Sequence, residues 1–142
     1  HFASKQAIYD VMFKQAWQAY LDDASKAIDG LPAAPRARLV AMAEHYFDFA
    51  VADLPRHQLM DVNVVPNFQP SPDAYAPAVA VYHQLLEQLR GIGITRDEDA
   101  DIYTALLGGL VNQQLANDLG GQRWRRLIPR VIAMFADDLG LP

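Results

Sequence analysis

Residues 95–118 read TRDEDADIYTALLGGLVNQQLAND, and this stretch has the form of a helix with a marked beginning. Thr95 and Glu98 stand in capping-box register, in which each side chain reaches the other's free backbone N–H. Asp97, Glu98 and Asp99 put negative charge in the first turn, where the helix dipole favours it. Apolar residues then follow the helical period up to Asn117, with no β-branched run that would argue for a strand. Gly108 and Gly109 fall mid-helix, where each costs about 1 kcal/mol relative to alanine. The reading predicts that another helix approaches closely at this point.

Working outward, the same logic predicts four more substantial helices and no strand. Towards the C-terminus, Gly120 and Gly121 separate this fourth helix from a fifth, RWRRLIPRVIAMFADDLG, residues 123–140. There Trp124, Ile128, Val131 and Phe135 share a face, and Pro129 is expected to bend it. Towards the N-terminus, GIGI at 91–94 ends a third helix that Ser71 and Pro72 begin as N-cap and first residue. Pro77 is expected to kink or restart that helix. Residues 55–70, PRHQLMDVNVVPNFQP, carry three prolines and predict a short helical turn followed by an extended loop.

The second helix begins at Pro35 and ends before Pro55. Leu39, Met42, Tyr46, Phe49 and Ala50 form one stripe, and Val40, Ala43, Phe47 and Leu54 a second. So wide an apolar arc predicts a central helix. The first helix runs from Lys5 to Ile28 behind Ser4 as N-cap. Tyr9, Phe13, Ala16, Tyr20 and Ala24 line one face, widened by Trp17 and Leu21, and Gly30 and Pro32 end it. The expected fold is an all-α bundle of five main helices plus a short helical turn.

Composition narrows the function. The 142 residues suit one domain, with 51% hydrophobic and 20% charged residues in an ordinary globular balance. No segment reaches the roughly 18 continuous apolar residues of a membrane span, so no membrane partner is expected. The absence of cysteine excludes thiol catalysis and disulfides and fits a reducing cytoplasm. A formal net charge of −5 argues against nucleic-acid binding by these residues alone.

Catalytic patterns are sparse. Ser4, Ser25 and Ser71 lie at helix ends or on a polar face, none in a G-x-S-x-G setting. His1, His45, His57 and His83 make no H-E-x-x-H. His45 and Asp48, three apart on a helix, could share a metal, but further ligands are not visible and the two read as polar residues flanking an apolar stripe. GIG at 91–93 follows a helix rather than a strand and is a weak dinucleotide signal. No metal or cofactor is therefore expected.

A binding site is better supplied. Phe13, Trp17, Tyr20, Met42, Tyr46, Phe49, Phe68 and Tyr82 are candidates for lining a mostly apolar pocket, Tyr and Trp adding polar handles. Tyr75 belongs to the same gathering of aromatics. The same residues could equally serve as ordinary core. On the glycine-bearing fourth helix and the fifth, Leu106, Gly109, Leu110, Gln113, Ile128, Val131 and Phe135 are candidates for a symmetric homodimer contact.

Residues 1–13, HFASKQAIYDVMF, resemble the end of the helix-turn-helix in the tetracycline-repressor (TetR) family of transcriptional regulators. There an aromatic-x-His-Phe-x-x-Lys-x-x-Leu pattern leads into the first helix of the regulatory domain. His1, Phe2, Lys5 and Ile8 fill the later places, with Ile8 standing for the usual leucine. RLVAMAEHYFDFAVADLP, residues 38–55, is similar to the family's second regulatory helix with its terminal proline. The resemblance implies that residues 1–3 are the remnant of the DNA-binding domain, whose helix-turn-helix lies outside the chain. Residues 4–142 would be the ligand-binding and dimerisation domain, their last two helices forming a dimeric four-helix bundle. It further implies that His1 and Lys5 match operator-contacting positions, that operator DNA is met only through the missing N-terminal domain, and that a small hydrophobic or aromatic effector alters operator affinity, most often in a repressor. Two other classes stand beside it. One is an all-α metal- or cofactor-dependent enzyme using His45, Asp48, His57 or His83. The other is a helical interaction module without a small ligand.

Overall fold

The computed structural model describes residues 4–142; the expected DNA contact at His1 lies outside the described residues. Among the described residues six α-helices follow in order: α1 (Lys5–Ile28), α2 (Pro35–Val51), α3 (Leu54–His57), α4 (Pro72–Arg90), α5 (Asp97–Asn117) and α6 (Ile128–Leu139). A turn of π-helix, Gln58–Val62, extends α3, and a 3-10 turn, Arg125–Leu127, leads into α6. No strand occurs among the described residues, so the fold is all-α, as the periodicity predicts.

Several boundaries sit where the sequence marks them. Ser4 caps α1 by accepting from Ala7 N at 3.2 Å, and Pro35 opens α2. Ser71 caps α4 by accepting from Ala74 N at 3.1 Å. Three local expectations are corrected. The N-cap of α5 is Arg96, with no side-chain cap. The Arg96 guanidinium instead pairs with Asp99 at 3.0 and 3.2 Å, so the first turn is closed by an ion pair rather than by Thr95 and Glu98. Pro129 does not bend the last helix but lies in its first turn, where a missing N–H costs nothing; Trp124 precedes the helix altogether. Pro77 neither stops nor restarts α4, which continues through it to Arg90.

The packing forms two layers with separate cores. α1 packs along α4. Asp10 on α1 accepts from the backbone N and hydroxyl of Ser71 at 2.7 and 2.6 Å. Those two bonds hold its carboxyl below the usual carboxylate range, the hydroxyl bond contributing most. A small core of Phe13, Phe68 and Ala74 lies within this layer. The main core gathers Leu39, Ala43, Phe47 and Ala50 of α2 with buried residues of α5 and α6 and the end of α4. Tyr103 donates to the Leu39 carbonyl at 2.9 Å within it. Arg125 fastens the entrance of α6 to α2 through Asp48 at 2.7 Å and Glu44 at 3.0 Å.

The joint between α5 and α6 depends on one buried amide. Gln114 Oε1 accepts from Trp124 N at 2.9 Å and Arg125 N at 3.2 Å, while its Nε2 donates to the Asp118 carbonyl. Gln114→Leu keeps the volume but strands two backbone donors, each worth about 1–3 kcal/mol when left unpaired in the interior. Urea unfolding is expected to show a loss of about 2–4 kcal/mol. The exposed substitution Gln122→Leu in the same link should stay within about 0.5 kcal/mol. Equal effects of the two would contradict this account of the joint.

Candidate functional site: a cavity between the two cores

The two cores do not merge, and a cavity of about 410 Å³ lies between them. α1 supplies Trp17, Tyr20, Ala24, Ala27 and Ile28, and α2 supplies Met42, His45 and Tyr46. His57 and Asp61 enter from α3 and its π-helical extension. Opposite them, α4 contributes Tyr82, Leu85 and neighbouring residues, and α5 contributes Tyr103, Thr104, Leu107, Gly108 and Asn112. The volume falls within the range typical of small-molecule pockets, and apolar walls with a few polar groups are their usual composition.

The aromatic walls form a connected set. Tyr20 meets Trp17 and Tyr46 edge to face, at centroid distances of 6.3 and 5.9 Å, a preferred arrangement for aromatic pairs. Burial, with the nearby Asp61 charge, raises the phenol pKa of both Tyr20 and Tyr46, so both stay neutral. Trp17 carries a buried Nε1–H that has no partner among the described residues.

The polar corner is built from α2, α3, the π-helical turn and α5. His57 is 3% exposed. Its Nε2 lies 3.0 Å from Asn112 Oδ1 and its Nδ1 lies 3.1 Å from Asp61 Oδ2. The second approach is off the hydrogen-bond direction and becomes an ion pair when the imidazole is protonated. Asp61 Oδ2 also accepts from the Tyr46 hydroxyl at a long 3.4 Å. Two acceptors flank the ring, which suits the imidazolium, a donor at both nitrogens. Asp61 first, and Asn112 to a lesser degree, accordingly raise the His57 pKa against the opposing effect of burial.

Five of the eight expected pocket residues, Trp17, Tyr20, Met42, Tyr46 and Tyr82, line this cavity. Phe49 stands behind Tyr20, ring to ring at 4.9 Å, with the Arg56 guanidinium over its own face. Phe13 and Phe68 sit elsewhere: with Tyr75 they border a second space of about 240 Å³. Asp61 borders both spaces. Nothing in the sequence marks Asp61 or Asn112, and His57 stands out there only as a candidate metal or cofactor ligand. Their convergence depends on the π-helical turn, which has no residue signature.

The expected dimer residues divide by burial. Ile128 is fully buried, Phe135 is 6% exposed, and Leu110 is likewise interior; all three belong to the chain's own main core. That corrects their assignment to a surface. Leu106 and Val131 are half-buried, while Gly109 and Gln113 are exposed. The close approach expected at Gly108 and Gly109 is not made within the chain, since nothing lies within 4 Å of where a Cβ would stand at either. Lys5 is exposed at the start of α1.

The histidines and carboxylates weighed as metal ligands do not converge. His45 pairs with Asp23 at 3.0 Å, Asp48 with Arg125, and His57 with Asp61. No group of three or more metal-ligating side chains is assembled among the described residues. No described helix is long and apolar enough to cross a membrane.

Fold and cavity together define an all-α domain with an internal aromatic pocket. A solved structure of a protein with unknown function from Rhodococcus sp. RHA1 has this fold: the TM-score is 0.78 and the match spans 99% of this chain and 76% of that one. The two are 19% identical, a likeness of fold alone. No family model and no curated protein matches the chain.

A histidine whose pKa is raised on folding stabilises the fold fully below its ordinary value of 6.5, and loses that contribution as pH rises through the folded-state value. Urea unfolding measured from about pH 6 to 9 should therefore show falling stability in the native sequence and a flatter profile in His57→Gln. Parallel profiles would contradict the ion pair.

Proposed function

We propose that this chain is the small-molecule-sensing and dimerisation domain of a TetR-like transcriptional regulator, a repressor of its target genes. The observation that carries the reading is the cavity between two separate cores, walled on one side by α1. That is the helix into which the HFASK stretch leads. A ligand that fits the cavity better in one arrangement of α1 and α4 against the main core favours that arrangement by its difference in affinity. Because α1 follows the residues that resemble the end of a DNA-reading unit, the same difference becomes a change in operator affinity. The chain's net charge of −5 fits a domain that meets DNA only through another part of the protein.

The dimer contact is proposed on the exposed side of α5 and α6. Ile102, Leu106, Gly109 and Gln113 follow one another at helical spacing on α5, and Met134, 64% exposed, adds apolar surface from α6. Gly109 leaves room for a second copy's helix to approach the backbone, which restates outside the chain the close approach that the glycine pair predicts.

Sedimentation of the chain at micromolar concentration is expected to give a dimer. Met134→Lys should weaken that dimer at least about tenfold, roughly 1.4 kcal/mol, without lowering the monomer's stability. Gly109→Ala should weaken it too, whereas Gly108→Ala, facing the cavity, should not. A monomer at all accessible concentrations, or an intact protein without sequence-specific DNA affinity, would overturn the reading.

A further inference from the structure

We propose that the ligand of the cavity is an organic cation, a protonated amine or quaternary ammonium seated at Asp61 with its apolar or aromatic body among Trp17, Tyr20 and Tyr46. The inference rests on the sensor reading only in taking the cavity to be a ligand site.

Charge decides the class. Among the described residues no lysine or arginine lines the cavity. Its carboxylate is Asp61, whose side chain is 27% exposed and therefore only partly screened by water. Asp61 Oδ2 receives both His57 and Tyr46, while Oδ1 has no hydrogen bond among the described residues and is free to accept from an ammonium. His45, the other histidine on the wall, is directed to Asp23 at 3.0 Å. An anionic ligand would meet Asp61 with no cation to hold it apart from a histidine already shared with that carboxylate. The walls add to the preference, because aromatic faces attract a cation within about 6 Å and do so more strongly when it is desolvated. Tyr20 and Trp17 stand nearly perpendicular, at 87°, as do Tyr20 and Tyr46, at 88°. Ring faces and edges are therefore presented in more than one direction around the same space.

His57, 3.1 Å from Asp61, supplies a competing cation at that position when it is protonated. Protonated, it neutralises Asp61 and competes with a bound ammonium; neutral, it leaves Asp61 to the ligand. Asp61 on its own turn and Asn112 from α5 adjoin it, Tyr46 from α2 reaches Asp61, and Tyr20 from α1 and His45 from α2, the latter paired with Asp23, line the same cavity; Arg56, next to it in sequence, is placed over Phe49. Neither tyrosine ionises near neutral pH. Affinity for an organic cation therefore rises as pH rises through the titration of His57, and binding below that point releases a proton.

The test uses 6-phenylhexylamine, 6-phenylhexan-1-ol and 6-phenylhexanoate, three probes of one shape and three charges. Calorimetric titration into the whole chain is made between about pH 5.5 and 8.5, where amine and carboxylate keep their charges. The amine is expected to bind at least about tenfold more tightly than the carboxylate at the upper end. Its affinity should rise with pH, and the heat should depend on the buffer's ionisation enthalpy at the lower end. Asp61→Asn should remove the amine's preference at the upper end, and continued binding of the alcohol shows that the cavity is intact. If that variant does not fold, the pH slope of the native chain carries the test alone. Alcohol or carboxylate binding as tightly as the amine, or an amine affinity that falls with pH, overturns the inference and leaves the sensor reading standing. No binding of any probe at millimolar concentration overturns both.

Discussion

His57, held between Asn112 on α5 and Asp61 on the π-helical turn, is the contact on which the site depends. A buried imidazole needs partners at both nitrogens, and these two come from different elements. In finding them, the short α3 and its extension are tied to α5 across the seam between the two cores. Asp61 is thereby set at the border of both internal spaces. An apolar residue at position 57 could close the seam by hydrophobic contact; a histidine keeps a polar corner in it.

The division into two cores gives this corner its setting. α1 and α4 are joined by the Asp10–Ser71 bonds at the α4 N-cap, the Lys14–Asp73 ion pair at 2.9 Å and the stacked Phe13–Tyr75 pair at 6.0 Å. α2, α5 and α6 are joined by a larger core, by the Gln114 amide and by Arg125. Each layer is fastened internally by directional bonds, whereas the side chains of Trp17, Tyr20, Met42 and Tyr46 between them leave space unfilled. Relative displacement of the layers breaks chiefly the His45–Asp23 pair at 3.0 Å and the Arg38–Gln88 bond at 2.6 Å. In the proposed sensor that displacement is what a ligand biases, and α1 is the element that moves with it.

Much of the fold was legible because helix starts carry local chemistry. Ser4, Pro35 and Ser71 act through neighbours three residues away or fewer, so their roles survive without knowledge of the tertiary structure. The exceptions share one cause. Thr95 yields to Arg96 because Arg96 finds Asp99 one turn on, and Pro129 opens a helix rather than bending one because Gln114, distant in sequence, holds the turn before it. For the site, apolar periodicity was enough to bring Trp17, Tyr20, Met42, Tyr46 and Tyr82 to one cavity. It could not separate them from Phe13 and Phe68, which share the face of α1 or its neighbourhood but point into the other core. Ile128 and Phe135 were likewise apolar at helical spacing, and periodicity alone does not say whether such a face meets its own chain or another. The polar corner was illegible, since residues 57, 61 and 112 meet only through a turn that no residue pattern announces.

The central claim is that a small molecule occupies the space between the cores, and the two tryptophans allow it to be tested directly. Trp17 lines that space, while Trp124 lies at the start of the α6 joint with Arg123 over its ring. With indole ¹⁵N labelling, titration with a 6-phenylhexyl probe should move the Trp17 Nε1–H resonance saturably and leave that of Trp124 in place. Saturable binding that moves Trp124 and leaves Trp17 unchanged would contradict the account.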